Sequence, residues 1–216
     1  MISDSPLQLY VHDLAQTKRG HERCIALLES ATVLFLEQGY DAVSLDDIVK
    51  HAGGSKTTIY KYFGNKEGLF TAICDYRREL FFKDICTAAN QNTLDIRSYL
   101  IHTLINFHLH LKKEENKTFL RLILEQTQRN SELACHIHEQ GPKQIQLAIA
   151  RTLENAHKKG ILKCENPLYS AQFYFGILRN LEWKILMNIS IDENDQETIN
   201  YITYCVDLFL DAHQKV

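Results

Sequence analysis

The 216-residue chain carries 24 Lys and Arg against 27 Asp and Glu, a formal charge of −3, and 45% of its residues are hydrophobic, which excludes a disordered or collagen-like chain and fits one or two globular domains. Six cysteines (Cys24, Cys74, Cys86, Cys135, Cys164, Cys205) scattered without C-x-x-C spacing exclude a disulfide framework or zinc finger, and no apolar run is long enough and free enough of charge to span a membrane. Three prolines in the whole chain favour helix, and net acidity leaves DNA binding open, because affinity follows where cations lie and not their sum.

Residues 1–17 contain Asp4 and Asp13 and no continuous apolar run, so they are expected to be a flexible leader and not a signal peptide, with Leu7, Leu9, Val11 and Leu14 available for a short extra turn. Lys18, Arg19, His21 and Arg23 form a basic cluster just before the first predicted helix. It reads either as an arm to phosphates or the minor groove, or as a solvated helix start. Apolar periodicity and caps predict helices at about 22–38, 44–51, 55–62, 66–90, 94–112, 115–129, 131–139, 142–159, 167–188 and 195–213.

The second and third of these carry the most chemistry. Ser44 has Asp47 three residues on, so its hydroxyl can accept an orphan amide while the carboxylate sits in the positive first turn. Leu45, Ile48, Val49 and Ala52 share one face, and Gly53-Gly54 then stops the helix. Ser55 is placed as a second N-cap. From it Lys56, Thr57, Thr58, Lys61 and Tyr62 can point outward while Ile59 and Phe63 point to the core. Lysine suits phosphates and guanine edges, threonine base edges or phosphate oxygens, tyrosine phosphate or a thymine methyl. Between Ser55 and Lys66 there are three lysines and no acid. The competing reading is an ordinary helical hairpin in which Tyr60 and Tyr62 are core-edge aromatics and Lys61 a solvated charge; against it, Asn65-Lys66-Glu67 starts another helix at once.

Arg23 to Phe70, with Gly39-Tyr40, Ser44, Ile48, Ala52-Gly53, Ser55, Ile59-Tyr60, Tyr62-Phe63 and Lys66-Glu67-Gly68-Leu69-Phe70, resembles the DNA-binding domain of the tetracycline-repressor (TetR) family. The chain departs from that pattern at Gly54, where a small aliphatic residue is usual, at Thr57, where glycine is frequent, and at Val49, often alanine. The resemblance implies that the second helix of the motif enters the major groove, that Tyr60, Tyr62 and Lys66 hold phosphates, and that Lys56, Thr57, Thr58 and Lys61 face base edges. Lys18, Arg19, Ser44 and Ser55 complete the expected DNA-binding set.

Beyond Phe70, Pro142 after Gly141 and Pro167 after Asn166 are first-turn prolines, and Gly160 ends the helix before it. Residues 155–162, 166–171 and 173–178 resemble the regulatory half of many family members. The helix at 167–188 is apolar nearly all round. In the helix at 195–213, Ile199, Ile202, Val206, Phe209 and Leu210 form one stripe and Tyr201, Cys205 and Leu208 another. Double-faced helices fit a subunit interface made as a four-helix bundle, so Tyr174, Leu178, Leu181, Ile202, Val206 and Phe209 are expected to face a partner; the alternative is a buried helix of a monomer. Aromatics are dense between 66 and 139, and a ligand cavity is expected there, with Tyr76, Tyr99, Phe107, His108, Phe119, Gln126, Arg179 and Trp183 as candidate lining and handles, each of which also reads as an ordinary core or surface residue.

The expected architecture is all-α: an N-terminal three-helix helix-turn-helix domain over 18–66 and a helical ligand-binding and dimerisation domain over 67–216. The expected function is a DNA-binding transcriptional regulator, a repressor released from an inverted-repeat operator by a small-molecule effector. Its partners are double-stranded operator DNA, the effector and a second copy of the chain, with no membrane, no cofactor and no catalytic residue, in the bacterial cytoplasm. One alternative is a metal- or redox-responsive regulator of the same fold, using Cys135 with His138 or Glu139 on one helix, or Cys164 as the most accessible thiol in a loop. The other is a helical enzyme or ligand-binding module, for which no Ser-His-Asp order, paired carboxylates or cofactor fingerprint stands out.

Overall fold

The Thr17 hydroxyl accepts a hydrogen bond from the Gly20 backbone N–H at 3.1 Å, and this cap starts the first helix four residues before the apolar periodicity does. A computed structural model of the chain describes residues 17–88, 95–190 and 194–214, with the backbone alone over 83–88. The leader expected over 1–17 lies, apart from Thr17, outside the described residues. In order the helices are α1 (Lys18–Gln38), α2 (Leu45–Ala52), α3 (Lys56–Phe63), α4 (Lys66–Ala88), α5 (Ile96–Lys112), α6 (Glu114–Thr127), α7 (Ser131–Gln140), α8 (Pro142–Lys158), α9 (Pro167–Phe175), a 3-10 turn (Gly176–Leu178), α10 (Arg179–Leu186) and α11 (Asp195–Asp211), with no strand among the described residues. The fold is all-α, as expected. Among the described residues no helix is long and apolar enough to cross a membrane.

The chain divides into two compact units, Met1–Lys83 with Leu122–Ala134, and Asp84–Arg121 with Cys135–Val216. In the first, Leu27, Leu28, Ala31 and Phe35 of α1, Ile48 of α2, Ile59 of α3 and Leu69, Phe70 and Ile73 of α4 are buried. Each large apolar side chain so removed from water contributes about 1.5–3 kcal/mol against the cost of ordering the chain. Tyr40 closes this core, its ring 5.2 Å from Phe35 and 5.3 Å from Phe70. α4 starts on the Asn65 side chain, which accepts from the Gly68 N–H at 2.7 Å. Gly68 must be glycine, because a Cβ there would lie 1.9 Å from the Phe63 carbonyl oxygen.

In the second unit α9 packs on α8 and α11 on α5, around Tyr99, Leu100, Leu104, Ile149, Leu153, Tyr174, Leu178, Ile202, Val206 and Phe209. Burial pushes the Tyr174 phenol well above its ordinary pKa, so it remains a donor, to the Leu100 carbonyl at 2.6 Å. Pro142 and Pro167 sit in first turns, and Gly160 has φ 72° with its N–H on the His157 carbonyl and that of Ile161 on Ala156, a Schellman-type stop.

Two expectations are corrected. The helix over 167–188 is broken at Gly176–Leu178, where glycine weakens the α-helix and the 3-10 turn winds both Ile177 and Leu178 inward. The stripe assigned to a partner is the protomer's own core: Tyr174, Leu178, Ile202, Val206 and Phe209 are 0–2% exposed, and Leu181 is half-buried. The outward apolar residues of this region include Tyr169, Phe173 (71% exposed), Trp183, Met187, Tyr201, Tyr204 and Leu208. Periodicity identifies two stripes without saying which faces in. The phenols of Tyr201 and Tyr204 reach water, whereas Ile202, Val206 and Phe209 have no polar atom to satisfy.

Candidate nucleic-acid interface

The helix-turn-helix is assembled by local hydrogen bonds. The Asp47 N–H donates to the Ser44 hydroxyl at 3.2 Å while the Ser44 N–H and hydroxyl donate to the Asp47 carboxylate at 2.9 and 2.6 Å. This capping box starts α2, and the Ser44 bonds hold the Asp47 carboxyl below its ordinary pKa. Ser44, expected on DNA, has its hydroxyl committed to the box. Gly53 and Gly54 then turn the chain with φ 68° and 147°. Ser55 has the extended backbone of an N-cap, but its side chain accepts no amide; its hydroxyl lies 3.3 Å from that of Thr58. The expected side-chain cap at Ser55 is therefore absent.

On α3, Lys56, Thr57, Tyr60 and Lys61 are exposed, and Thr58 and Tyr62 half-buried, while Ile59 is fully buried. Lys61 lies 5.0 Å from the centre of the Tyr62 ring. Lys56 is held by Asp46 at 3.0 Å, a partner ten residues away on α2 that sequence reading missed. Lys66 folds back: its ammonium donates to the Tyr40 carbonyl at 2.5 Å and lies 4.2 Å over the Tyr40 ring. Burial pushes its pKa down from the usual lysine value, and reaching a phosphate would require it to leave Tyr40. Lys18 and Arg19 are exposed but stand in the first turn of α1 and not in an arm, because Thr17 caps the helix ahead of them.

The candidate ligand residues divide between the two units. Tyr76 and Gln126 belong to the first, Gln126 buried with its amide nitrogen without a hydrogen-bond partner. In the second, Tyr99 and Phe119 are buried and the Phe107 ring lies 6.5 Å from that of Phe175. His108 is fully buried, Nε2 3.1 Å from Asp195 Oδ1, with Nδ1 lacking a hydrogen-bond partner. Lys112 meets the same carboxylate at 2.6 Å, and Lys112 first, then His108, hold Asp195 below the usual carboxylate range. Arg179 and Trp183 are corrected: both are solvent-exposed, Arg179 paired with Glu182, so neither lines an enclosed cavity. An open cleft of about 310 Å³ with Ile177, Leu178 and Leu181 and rimmed by Asn180, Lys184 and Tyr201 lies elsewhere in this unit. Cys164, expected as the accessible thiol, is 2% exposed, its Sγ 3.4 Å from the Ser170 hydroxyl; among the described cysteines Cys135 is the exposed one. No group of three or more His, Cys, Asp or Glu among the described residues could hold a metal ion.

A capped helix, a glycine turn and an exposed cationic, hydroxyl-bearing helix, joined to a larger helical unit, define a helix-turn-helix transcriptional regulator. The description "Bacterial regulatory proteins, tetR family" matches residues 27–73, and "AefR-like transcriptional repressor, C-terminal domain" matches residues 99–215, more than half of the chain. The chain belongs to the TetR family of transcriptional regulators, whose members bind DNA operators and ligands and act as dimers. It is 48% identical over 50 residues to the HTH-type transcriptional repressor ComR of Escherichia coli K12, covering 23% of this chain and 24% of that one. It is 35% identical over 86 residues to a DNA-binding transcriptional repressor TetR of Mycobacteroides abscessus, covering 40% and 43%. The chain thus spans under half the length of these relatives. Among solved structures, a Mesorhizobium loti MAFF303099 chain named as a TetR-family transcriptional regulator superposes with a TM-score of 0.83 at 22% identity, over 92% of this chain and 100% of that one. A flavonoid-responsive regulator, FrrA, superposes at 0.75 with 28% identity, over 89% and 97%.

Proposed function

We propose that the chain is a homodimeric, cytoplasmic repressor that binds a short inverted-repeat operator and leaves it when a small, largely apolar effector enters the second unit. The observation that carries this reading is α3, whose Lys56, Thr57, Tyr60 and Lys61 are all exposed behind a capped α2. Two copies of such a helix related by a two-fold axis read half-sites about one helical turn, roughly 34–36 Å, apart. The apolar residues left in solvent, Phe173, Trp183, Tyr201, Tyr204 and Leu208, supply the self-complementary face that such a dimer requires. The FrrA relative, named flavonoid-responsive, is in keeping with a mostly apolar effector.

Selection from a pool of randomised duplexes tests it. Enrichment of an inverted repeat is expected, with two chains bound per duplex in sedimentation. Failure to enrich any sequence, or a single chain per enriched site, overturns the reading.

A further inference from the structure

Of the two departures from the family pattern at the turn and the reading helix, Gly54 has a physical counterpart on α1. The Arg23 guanidinium crosses from α1 to the α2–α3 turn, where its Nη1 donates to the Gly53 carbonyl. A Cβ built at Gly54 would lie 2.7 Å from the same Nη1 and 3.5 Å from the guanidinium carbon. That carbonyl stands just past the last turn of α2, where the helix leaves unpaired acceptors and favours a cation. Two glycines in succession, with φ 68° and 147°, bring no side chain to restrain the turn and lose the most freedom on folding.

We propose that Arg23 is the positioning residue of the reading helix: its guanidinium takes the space a side chain at position 54 would fill, ties off α2 and fixes the direction in which α3 leaves the turn. Glycine at 54 is then the complement of arginine at 23. The guanidinium suits this role, since it stays charged and presents several donors in a fixed fork, one of which meets the carbonyl. The role differs from a phosphate contact, which would act through charge alone and equally on every sequence. The proposal rests on α3 reading the duplex.

The test compares the wild type with Arg23→Ala, Arg23→Lys, Gly54→Ala and the double variant Arg23→Ala/Gly54→Ala, in selection from randomised duplexes and in titrations of one random-sequence duplex against salt. A wild type that enriches no sequence overturns the reading of DNA by α3 itself. With enrichment present, Arg23→Ala is expected to lower it on the order of tenfold or more while its affinity for the random duplex and its salt slope change little. Arg23→Lys, which keeps the charge and the fold, is expected to lose part of the enrichment with an unchanged slope. Gly54→Ala is expected to lose at least as much as Arg23→Ala, because a side chain at φ 147° strains the turn besides displacing the guanidinium, and the double variant no more than Gly54→Ala, because the guanidinium contact is lost only once. Unchanged enrichment in Arg23→Lys, additive losses in the double variant, or an equal loss on all duplexes with the slope reduced by about one unit, each overturn the proposal.

Discussion

Lys56, proposed above to face DNA, is paired with an acid of the preceding helix. Its partner Asp46 is 3.0 Å away with side-chain exposures of 47% and 74%, and such exposed pairs are worth about 0–1 kcal/mol, so a phosphate or guanine edge can displace the carboxylate. Asp46→Asn should therefore leave the melting temperature nearly unchanged and raise affinity for random duplexes, with a salt slope steeper by about 0.9 as Lys56 becomes available. An unchanged slope would show that Lys56 does not reach phosphates. One residue further on, Asp47 gives the interface an acid limit. Hydrogen bonds from Ser44 depress its pKa below the ordinary 3.8, so the capping box contributes stability above that value. The contribution is lost as the pH falls through the depressed, folded-state pKa, and neutral pH lies on the stable side. Helicity followed by circular dichroism from pH 6 to 2 should show an acid-side loss in the wild type that is diminished in Ser44→Ala; identical curves would mean that the box does not stabilise α2.

At the scale of elements, α11 carries a buried stripe and an exposed apolar one, and the proposed dimer assigns folding to the first and assembly to the second. Phe209 is 1% exposed among the residues of the second core, so Phe209→Ala should cost about 3–5 kcal/mol in denaturant melts. Tyr204 is 63% exposed, so Tyr204→Asp should leave the protomer folded and shift sedimentation toward the monomer. A Tyr204→Asp protein that stays dimeric would place the interface elsewhere. Sequence gave the existence of these elements because their signals are local: the Ser44 box, glycine after α2, the first-turn prolines of α8 and α9 and the Asn65 cap of α4 all lie within a few residues of what they stop or start. It could not give what distant partners decide. The inward stripe of α11 depends on α5, Lys66 is turned back by a carbonyl 26 residues upstream, and Lys56 is engaged from the preceding helix. The break at Gly176 was visible as a glycine, but continuous apolarity on both sides outweighed it.

For the molecule as a whole, the composition of the first unit matters as much as its helix-turn-helix. Arg129, just after α6, pairs with Asp41 between α1 and α2 at 2.7 Å, and the Asn130 amide donates to Glu67 of α4. Both ties join Leu122–Ala134 to the segment that ends at Lys83. Both arms of the Arg129 pair are exposed, so Arg129→Ala should barely move the melting temperature, while hydrogen exchange at the amides of 40–43 should quicken, since the pair ties Asp41 to the segment that follows α6. Unchanged exchange would show that the pair does not restrain that loop. The same arrangement bears on how such regulators can be recombined. A single crossover that transplants the first 83 codons into another scaffold strands Asp41 and Glu67 without their counterparts, whereas a graft that also carries codons 122–134 moves an intact piece, so the exchangeable cassette for retargeting is discontinuous in the gene.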